Sequence, residues 1–367
     1  MLDINEITQT LSKSKTVFER ISAGNHEQVV FCYDQATGLK AIISIHSTLL
    51  GPALGGTRMW PYSTEEEALN DVLRLSRGMT YKAAVAGLQL GGGKAVIMGD
   101  PKKSKTEAMF RRFGRFINNL NGNYITAEDV GTSTRDMEHI ASETKHVTGL
   151  PESMGGGGNP SPVTAYGVYM GVRAAAMATW GSDSLKDKRV VVQGVGHVGA
   201  NLVKHLRKEG AKVFVTDINK ELVKKVAEQY GCTVIGTDEV FSTESDIYSP
   251  CALGATLNTG NIEKLNCQVV AGAANNQLAD EEVHGKMLME KGIVYAPDFL
   301  INAGGLINVY SEFTGYNRDQ ALTQTEKIYD VTLAILRKSK EEGLSSHEAA
   351  MQIAEKRLAD ITDSTGS

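Results

Sequence analysis

A glycine loop between an apolar run and a helical pattern constrains the fold of this chain more than any other feature. Residues 194–199 read GVGHVG, follow the β-branched run 189–193 and open a helical pattern over residues 200–208. In this setting the G-x-G-x-x-G spacing has a mechanism: the first glycine makes a tight turn, the second lets a pyrophosphate approach, and the third allows close helix–strand packing. Exposed N–H groups at the helix start then face the phosphates. The loop predicts a dinucleotide site formed by Gly194, Val195, Gly196, His197, Val198 and Gly199.

An acidic residue after the next strand indicates which dinucleotide binds. Asp217 ends the run KVFVT and follows Gly199 by 18 residues, close to the usual spacing of about 20. A carboxylate there accepts hydrogen bonds from the adenosine ribose hydroxyls and repels a 2′-phosphate. Ile218 and Asn219 offer no arginine for such a phosphate. The sequence therefore favours NAD over NADP as the cofactor.

The chain after residue 189 predicts a parallel sheet. Short apolar runs (VVVQ, VFVT, TVIG, DIYS, QVVAG and IVYAP) have helical segments between most of them. That rhythm implies a parallel sheet with right-handed crossovers. The fold class is therefore α/β, and residues 151–329 are expected to form a doubly wound Rossmann-type domain that binds NAD.

The length of 367 residues allows a second domain. Residues 29–33 and 39–46 are β-rich runs separated by QATG, which predicts a hairpin. The stretch 149–162, GLPESMGGGGNPSP, is the linker candidate and an expected hinge. We expect residues 1–150 and about 330–367 to form an α/β domain for substrate binding and oligomerisation, with a cleft between the two domains.

Two helix starts are predicted from capping patterns. Ser63 and Glu66 have the spacing of a capping box ahead of a helical pattern. Ser161 and Pro162 supply a cap and a first-turn proline for the helix that follows.

Charge and cysteine content exclude several classes of protein. The 38 basic and 43 acidic residues give a net charge of −5 without a basic run, so a nucleic-acid groove is not expected. The four cysteines form no C-x-x-C pair, which disfavours a disulfide scaffold or a zinc ribbon. No signal peptide or membrane-spanning stretch is visible. A cytoplasmic protein is expected.

Three charged side chains stand out by their setting in the first half of the chain. Lys82 ends an otherwise apolar helical run, Lys94 follows three glycines, and Asp129 comes just after a predicted buried strand. Each by itself has a more ordinary interpretation. Most lysines are solvated, and an aspartate after a strand is more often a cap or turn residue than a catalytic acid.

Several longer stretches together resemble the Glu/Leu/Phe/Val amino-acid dehydrogenase family, most closely its leucine-oxidising branch. They are GPALGGTRMWPY, MTYKAAVAGLQLGGGKAVI, ITAEDVGT, NPSPVTAYGV, the GVGHVG loop and PDFLINAGGLINV. They follow one another in the family's order from about residue 51 to 309, so the resemblance covers most of the chain.

The resemblance implies a role for each matched residue. Lys94 would be the catalytic lysine, Asp129 its proton-shuttling partner, and Lys82 the group that holds the substrate carboxylate. The backbone of Gly55 and Gly56 would line the amino-acid site. Thr164 and Asn275 would fix the nicotinamide end of the cofactor.

The resemblance also implies an aliphatic substrate. Leu54 stands where the glutamate enzymes carry a lysine in GPYKGG, and a buried substrate carboxylate without a partner costs several kcal/mol. An apolar pocket would be lined by Leu54, Ala127, Leu306 and Val309. The expected reaction is reversible oxidative deamination of leucine, isoleucine and valine to 2-oxo acids and ammonium.

Two other interpretations remain open at this stage. One is a valine- or phenylalanine-preferring member of the same family, and the other is a non-catalytic NAD-binding sensor. The resemblance further implies a homo-oligomer, with an octamer expected, whose partners are small molecules rather than nucleic acid or membranes.

Overall fold

The computed structural model describes residues 16–365, which form two compact units. Residues 16–81 and 89–148 make up the first unit, and residues 82–88 and 149–365 the second. Both units are α/β, as the sequence predicts. Every helix within residues 16–365 falls short of the length and apolar character that crossing a membrane requires.

The first unit is built on a mixed sheet. The strands lie in the order β1-β2-β5-β3-β6, and β4 also pairs with β5. The predicted hairpin is confirmed, since β1 and β2 are antiparallel neighbours. The strands are β1 (Gln28–Asp34), β2 (Leu39–Ser47), β3 (Ala53–Leu54), β4 (Thr57–Trp60), β5 (Gly91–Met98) and β6 (Tyr124–Ile125). The helices are α1 (Val17–Ala23), α2 (Glu65–Val85), α3 (Glu107–Asn118) and α4 (Thr134–Ala141), and residues 82–85 at the end of α2 are counted with the second unit.

The start of α2 corrects the predicted capping box by one residue. The helix begins at Glu65, and the Thr64 hydroxyl accepts the N–H of Glu67 at 3.0 Å. The Glu67 carboxylate accepts the N–H of Ser63 at 2.8 Å. Because S-T-E-E-E contains two overlapping Ser/Thr-x-x-Glu patterns, spacing alone did not distinguish Ser63–Glu66 from Thr64–Glu67.

The second unit contains the predicted parallel sheet. Its order is β12-β11-β10-β7-β8-β9, with parallel pairing throughout. The strands are β7 (Arg189–Gln193), β8 (Lys212–Thr216), β9 (Thr233–Val234), β10 (Ile247–Pro250), β11 (Val269–Val270) and β12 (Val294–Tyr295). The sequence order reverses between β7 and β10, which is where open α/β sheets bind ligands.

Nine helices of 4 to 25 residues complete the described part of the second unit, together with two short 3-10 turns at Glu152–Met154 and Glu312–Thr314. The helices are α5 (Ser161–Trp180), α6 (His197–Lys208), α7 (Lys220–Tyr230), α8 (Thr259–Lys264), α9 (Glu281–Glu290), α10 (Asp298–Ile301), α11 (Gly304–Ser311), α12 (Arg318–Glu342) and α13 (Ser346–Thr365). Helix α5 starts at Ser161 itself rather than after it. The Asn159 side chain accepts the Ser161 N–H at 2.9 Å.

The C-terminal helices pack within the second unit. Helix α12 lies along α5, where the Tyr166 hydroxyl donates to Glu326 at 2.7 Å. In the sequence analysis, residues from about 330 onward are assigned to the first domain. Sequence periodicity shows that these residues are helical but not which surface their apolar faces contact. Their assignment to a substrate domain stays a prediction.

The side chain of Glu312, the residue directly after α11, binds the glycine-rich stretch that begins at residue 149. The Glu312 carboxylate accepts the N–H of Gly149 at 3.1 Å and that of Gly157 at 2.9 Å. Burial raises the pKa of Glu312, and these backbone hydrogen bonds oppose that rise. The predicted linker is therefore held at Gly149 and Gly157, and its role as a hinge stays a prediction.

Candidate active site

Lys94 lies in the middle of β5, between β2 and β4. The glycines before it continue the same strand as buried residues, so GGGK is strand and not a phosphate loop. Lys94 is only 6% exposed. An ammonium group in such a place must be paired or must lose its proton, because desolvation disfavours the charged form.

Asp129 supplies the partner. Its Oδ2 atom lies 3.0 Å from the Nζ atom of Lys94. Burial lowers the pKa of Lys94, and Asp129 opposes that fall. Burial acts against the ionised form of Asp129 too, but Lys94 and Arg58 outweigh it and hold the pKa of Asp129 below its ordinary value. The structure thus brings together the two residues that the resemblance marks as catalytic.

Arg58 is a third member of this cluster, and the sequence assigned it no role. It lies on β4 opposite Val96 of β5. Because side chains alternate along a strand, Val96 and Lys94 share a face of the sheet. From this position Arg58 Nε donates to Asp129 Oδ2 at 3.0 Å.

A second carboxylate holds the other side of Arg58. The Nη1 atom of Arg58 donates to Asp71 Oδ2 at 2.9 Å, and the Tyr62 hydroxyl donates to the same oxygen at 2.7 Å. Arg74 binds the remaining oxygen of Asp71 at 3.0 Å. Burial opposes ionisation of Asp71, yet the Tyr62 hydroxyl and the two arginines keep its pKa low. Asp71 and Arg74 are three residues apart in α2, which is a local signal of this ion pair in the sequence.

Gly55 and Gly56 lie beside this cluster on the same sheet. The Gly55 N–H donates to the Ile125 carbonyl at 3.1 Å, and the Gly55 carbonyl accepts the Tyr124 hydroxyl at 2.6 Å. The Gly56 carbonyl accepts the N–H of Ala95 at 3.4 Å. These contacts fix the backbone next to Lys94. That the two glycines line an amino-acid site stays a prediction.

Lys82 is counted with the second unit and has a partner there. Its Nζ atom donates to Asn302 Oδ1 at 2.6 Å. The amide nitrogen of Asn302 donates to Asn275 Oδ1 at 2.7 Å. Asn302 therefore joins Lys82 to Asn275, two residues to which the family resemblance gives roles toward substrate and cofactor respectively. Sequence reasoning missed Asn302 although it lies inside the quoted stretch PDFLINAGG.

The remaining predicted residues divide between the units. Leu54 and Ala127 are buried in the first unit, and Leu306 is buried on α11 of the second, where Val309 is half-buried. The hydroxyl of Thr164 donates to the Pro160 carbonyl at 3.0 Å in the first turn of α5. Their roles toward a ligand stay predictions.

The dinucleotide loop has the expected local geometry. Gly194 has φ +96°, and a Cβ on Gly199 would lie 2.0 Å from the Gly194 carbonyl oxygen. Gly196 has open space where its Cβ would be. Helix α6 begins at His197, three residues earlier than predicted, and its N-cap Gly196 contributes no side-chain hydrogen bond.

Asp217 braces this loop from the end of β8. Its Oδ2 atom accepts the Val195 N–H at 2.9 Å, and its Oδ1 atom accepts the Asn219 N–H at 2.9 Å. His197 is exposed and Val198 is half-buried. A tight turn, an open glycine and an uncapped helix start next to a carboxylate are what the phosphates and ribose of a dinucleotide require, so these residues fit that group.

Comparison with known proteins identifies the family of this chain. A family model described as "Glu/Leu/Phe/Val dehydrogenase, dimerisation domain" matches residues 26–146. A second, described as "Glutamate/Leucine/Phenylalanine/Valine dehydrogenase", matches residues 155–220 and 214–366. The chain belongs to the Glu/Leu/Phe/Val dehydrogenase family. It is therefore an amino-acid dehydrogenase.

Individual members of the Glu/Leu/Phe/Val dehydrogenase family are similar over nearly the whole chain. Leucine dehydrogenase from Thermoactinomyces intermedius is 58% identical over 93% of each chain. Valine dehydrogenase from Streptomyces coelicolor is 50% identical over 92% of this chain and 93% of its own. The crystal structure of L-tryptophan dehydrogenase from Nostoc punctiforme covers 94% of this chain and 99% of its own, with a TM-score of 0.85 and 45% identity.

Proposed function

We propose that this protein oxidatively deaminates L-leucine and other branched-chain L-amino acids with NAD. The amino acid, water and NAD⁺ give a 2-oxo acid, ammonium, NADH and a proton. The observation that carries the proposal is the buried pair of Lys94 Nζ and Asp129 Oδ2, 3.0 Å apart. The 58% identity to a leucine dehydrogenase supports it.

The buried pair has the properties that this reaction requires. Oxidative deamination needs a neutral amine, loss of a hydride from Cα, and attack of water on the resulting iminium. Bound NAD accepts that hydride. Burial favours the neutral amine of Lys94, so Lys94 is suited to take a proton from the attacking water. Asp129 is held ionised, so it takes a proton from the substrate amine and returns one to the departing ammonia.

Substrate and cofactor binding fall to other residues under the proposal. Lys82, positioned by Asn302, pairs with the substrate carboxylate. Leu54, Ala127, Leu306 and Val309 contact an aliphatic side chain. The loop around Gly196 binds the phosphates of NAD, Asp217 binds the adenosine ribose, and Thr164 and Asn275 bind the nicotinamide end.

A substrate panel tests the proposal. NADH formation is measured for leucine, isoleucine, valine, phenylalanine, tryptophan and glutamate, each with NAD and with NADP. We expect the highest kcat/KM for a branched-chain substrate with NAD, and activity with all three branched-chain substrates, because one methylene changes specificity by only about 1–3 kcal/mol. Higher kcat/KM for an aromatic substrate contradicts the pocket. If no substrate is turned over, the proposal is wrong and the alternative of a non-catalytic NAD-binding sensor is favoured.

The proposal includes assembly and location. We propose that the protein is a homo-oligomer, specifically an octamer. The match to a dimerisation domain supports self-association but not the number of subunits. Phe31 and Tyr33, which are 55% and 63% exposed on the edge strand β1, provide apolar surface for such an assembly. A cytoplasmic location is supported by four unpaired cysteines. Light scattering on the purified protein measures the number of subunits.

A further inference from the structure

We propose that Arg58 is a positioning residue for the deamination, which orients the Asp129 carboxylate and fixes which of its two oxygens exchanges protons. This inference rests on the proposed function and assigns to that reaction a residue from outside the Lys94–Asp129 pair. The starting observation is that both cationic groups bind one atom. Lys94 Nζ and Arg58 Nε each lie 3.0 Å from Asp129 Oδ2, and neither of these contacts ends on Oδ1.

The contacts to Oδ2 give the two oxygens of the Asp129 carboxylate different roles. Two donors on Oδ2 fix the orientation of the group, and they leave Oδ1 as the oxygen on which a substrate amine can place its proton. Lys94 cannot provide this orientation alone, because a single flexible ammonium permits rotation about the contact, whereas a guanidinium is planar and its donors have fixed directions. Arg58 is suited to the task because its other side is bound as well.

Asp71 is the anchor of Arg58. It binds Arg58 Nη1 at 2.9 Å and is itself held by Tyr62 at 2.7 Å and Arg74 at 3.0 Å. The guanidinium therefore bridges two carboxylates, with its side chain 23% exposed. An arginine held on both sides can keep a fixed distance to Asp129 while Lys94 gains and loses its proton.

The charge of Arg58 acts on both catalytic groups in the same direction. It lowers the pKa of Asp129 and that of Lys94. The ionisable groups in electrostatic range of Asp129 are Lys94, Arg58 and the phenols of Tyr62 and Tyr124, with Asp71 next to Arg58. Loss of the guanidinium therefore shifts both proton-accepting groups toward higher pKa, and no other described neighbour replaces its charge on Asp129.

The test is the pH dependence of kcat/KM for leucine in the variant Arg58→Met. A neighbouring arginine changes the pKa of an aspartate by about 1–3 units, so we expect the acidic limb to move to higher pH by about one unit. On that limb kcat/KM for leucine falls by about tenfold relative to the wild type, and the difference disappears as the pH rises. The KM for NAD should not change. A uniform loss at all pH values, with the limb unmoved, shows a merely structural role and overturns the proposal.

Further variants distinguish the expected shift in pH dependence from an effect of misfolding. Arg58→Lys keeps the charge but not the planar donors. The acidic limb of its pH profile should therefore stay near that of the wild type, while kcat falls. Asp71→Asn keeps Arg58 but weakens its anchor and should give a smaller shift than Arg58→Met. Arg112→Met is the matched control, because Arg112 Nε binds Asp34 at 3.0 Å elsewhere in the same unit; its profile should equal that of the wild type.

A readout without turnover separates this inference from the proposed function. Isotope-edited infrared spectra of protein labelled with ¹³C-aspartate, compared with Asp129→Asn, report the titration of the Asp129 carboxyl. Arg58→Met should raise that pKa even if leucine proves not to be the substrate. If the wild type oxidises leucine but the Asp129 band titrates alike with and without Arg58, the positioning role is wrong and the proposed function stands.

Discussion

The backbone N–H of Val195 donates to Asp217 Oδ2 at 2.9 Å, across 22 residues of sequence. One carboxylate thus ends β8 and braces the glycine loop that follows β7. Since β7 and β8 are parallel neighbours, the loop and the acid meet at the same edge of the sheet. The relationship gives Asp217 a structural role in addition to the ribose contact that the sequence suggests.

Replacing Asp217 tests both roles. The variant Asp217→Ser should lower kcat/KM for NAD by about 10–100-fold, because a hydrogen bond to a charged group contributes about 1.5–3 kcal/mol. It should also raise the ratio of NADP to NAD activity, since the charge that repels a 2′-phosphate is gone. Initial rates with each cofactor at saturating leucine measure the effect. If kcat/KM falls equally for NAD and NADP, Asp217 only braces the loop and does not select the cofactor.

Removing the amino group of Lys94 tests the catalytic pair. Lys94→Met keeps the apolar stem in a site that is 6% exposed, so folding should survive. We expect kcat to fall by about 10²–10⁴-fold, the range for loss of a general base. Lys103→Met is the control, because Lys103 is 81% exposed and pairs only with Asp100 among the ion pairs of the described residues. Near-normal turnover in Lys94→Met, with intact circular dichroism, contradicts the assignment.

Substituting Leu54 tests the substrate pocket. Leu54→Lys introduces the residue that the glutamate enzymes carry in the same motif, and an ammonium there offers a partner to a substrate carboxylate. The ratio of kcat/KM for leucine to that for glutamate should fall by at least about tenfold, since each 1.4 kcal/mol corresponds to a factor of ten. Because Leu54 is 2% exposed, the melting temperature should fall too. Leu54→Met controls for packing and should keep the preference for leucine.

Acid should weaken the first unit through Asp71. Its pKa lies below the ordinary value of 3.8, so its ionised form contributes stability that is present above about pH 3.8 and is lost as the pH falls through the lower, folded-state pKa. The variant Asp71→Asn lacks this contribution. The difference in melting temperature between wild type and variant should therefore be largest near pH 7 and shrink below pH 3.8. A difference that is constant with pH shows that packing, not charge, is lost.

Local pattern was enough to determine the second unit's sheet, the glycine loop and the position of Asp217. Alternating apolar runs and helices specify parallel strands, and the loop's function depends on backbone turns that its own glycines make. The same holds for the hairpin of β1 and β2. The candidates Lys94 and Asp129 came from a resemblance carried by short motifs, and the ion pair between them is a finding of the structure.

Tertiary structure alone decided the surroundings of that pair. Arg58, Asp71 and Asp129 come from β4, α2 and the loop after β6, and they meet because sheet order and register bring those elements together. Asn302 meets Lys82 across 220 residues. Sequence periodicity indicates which face of an element is buried but not which residue it will meet. A charge network between elements is therefore determined only when the chain has folded.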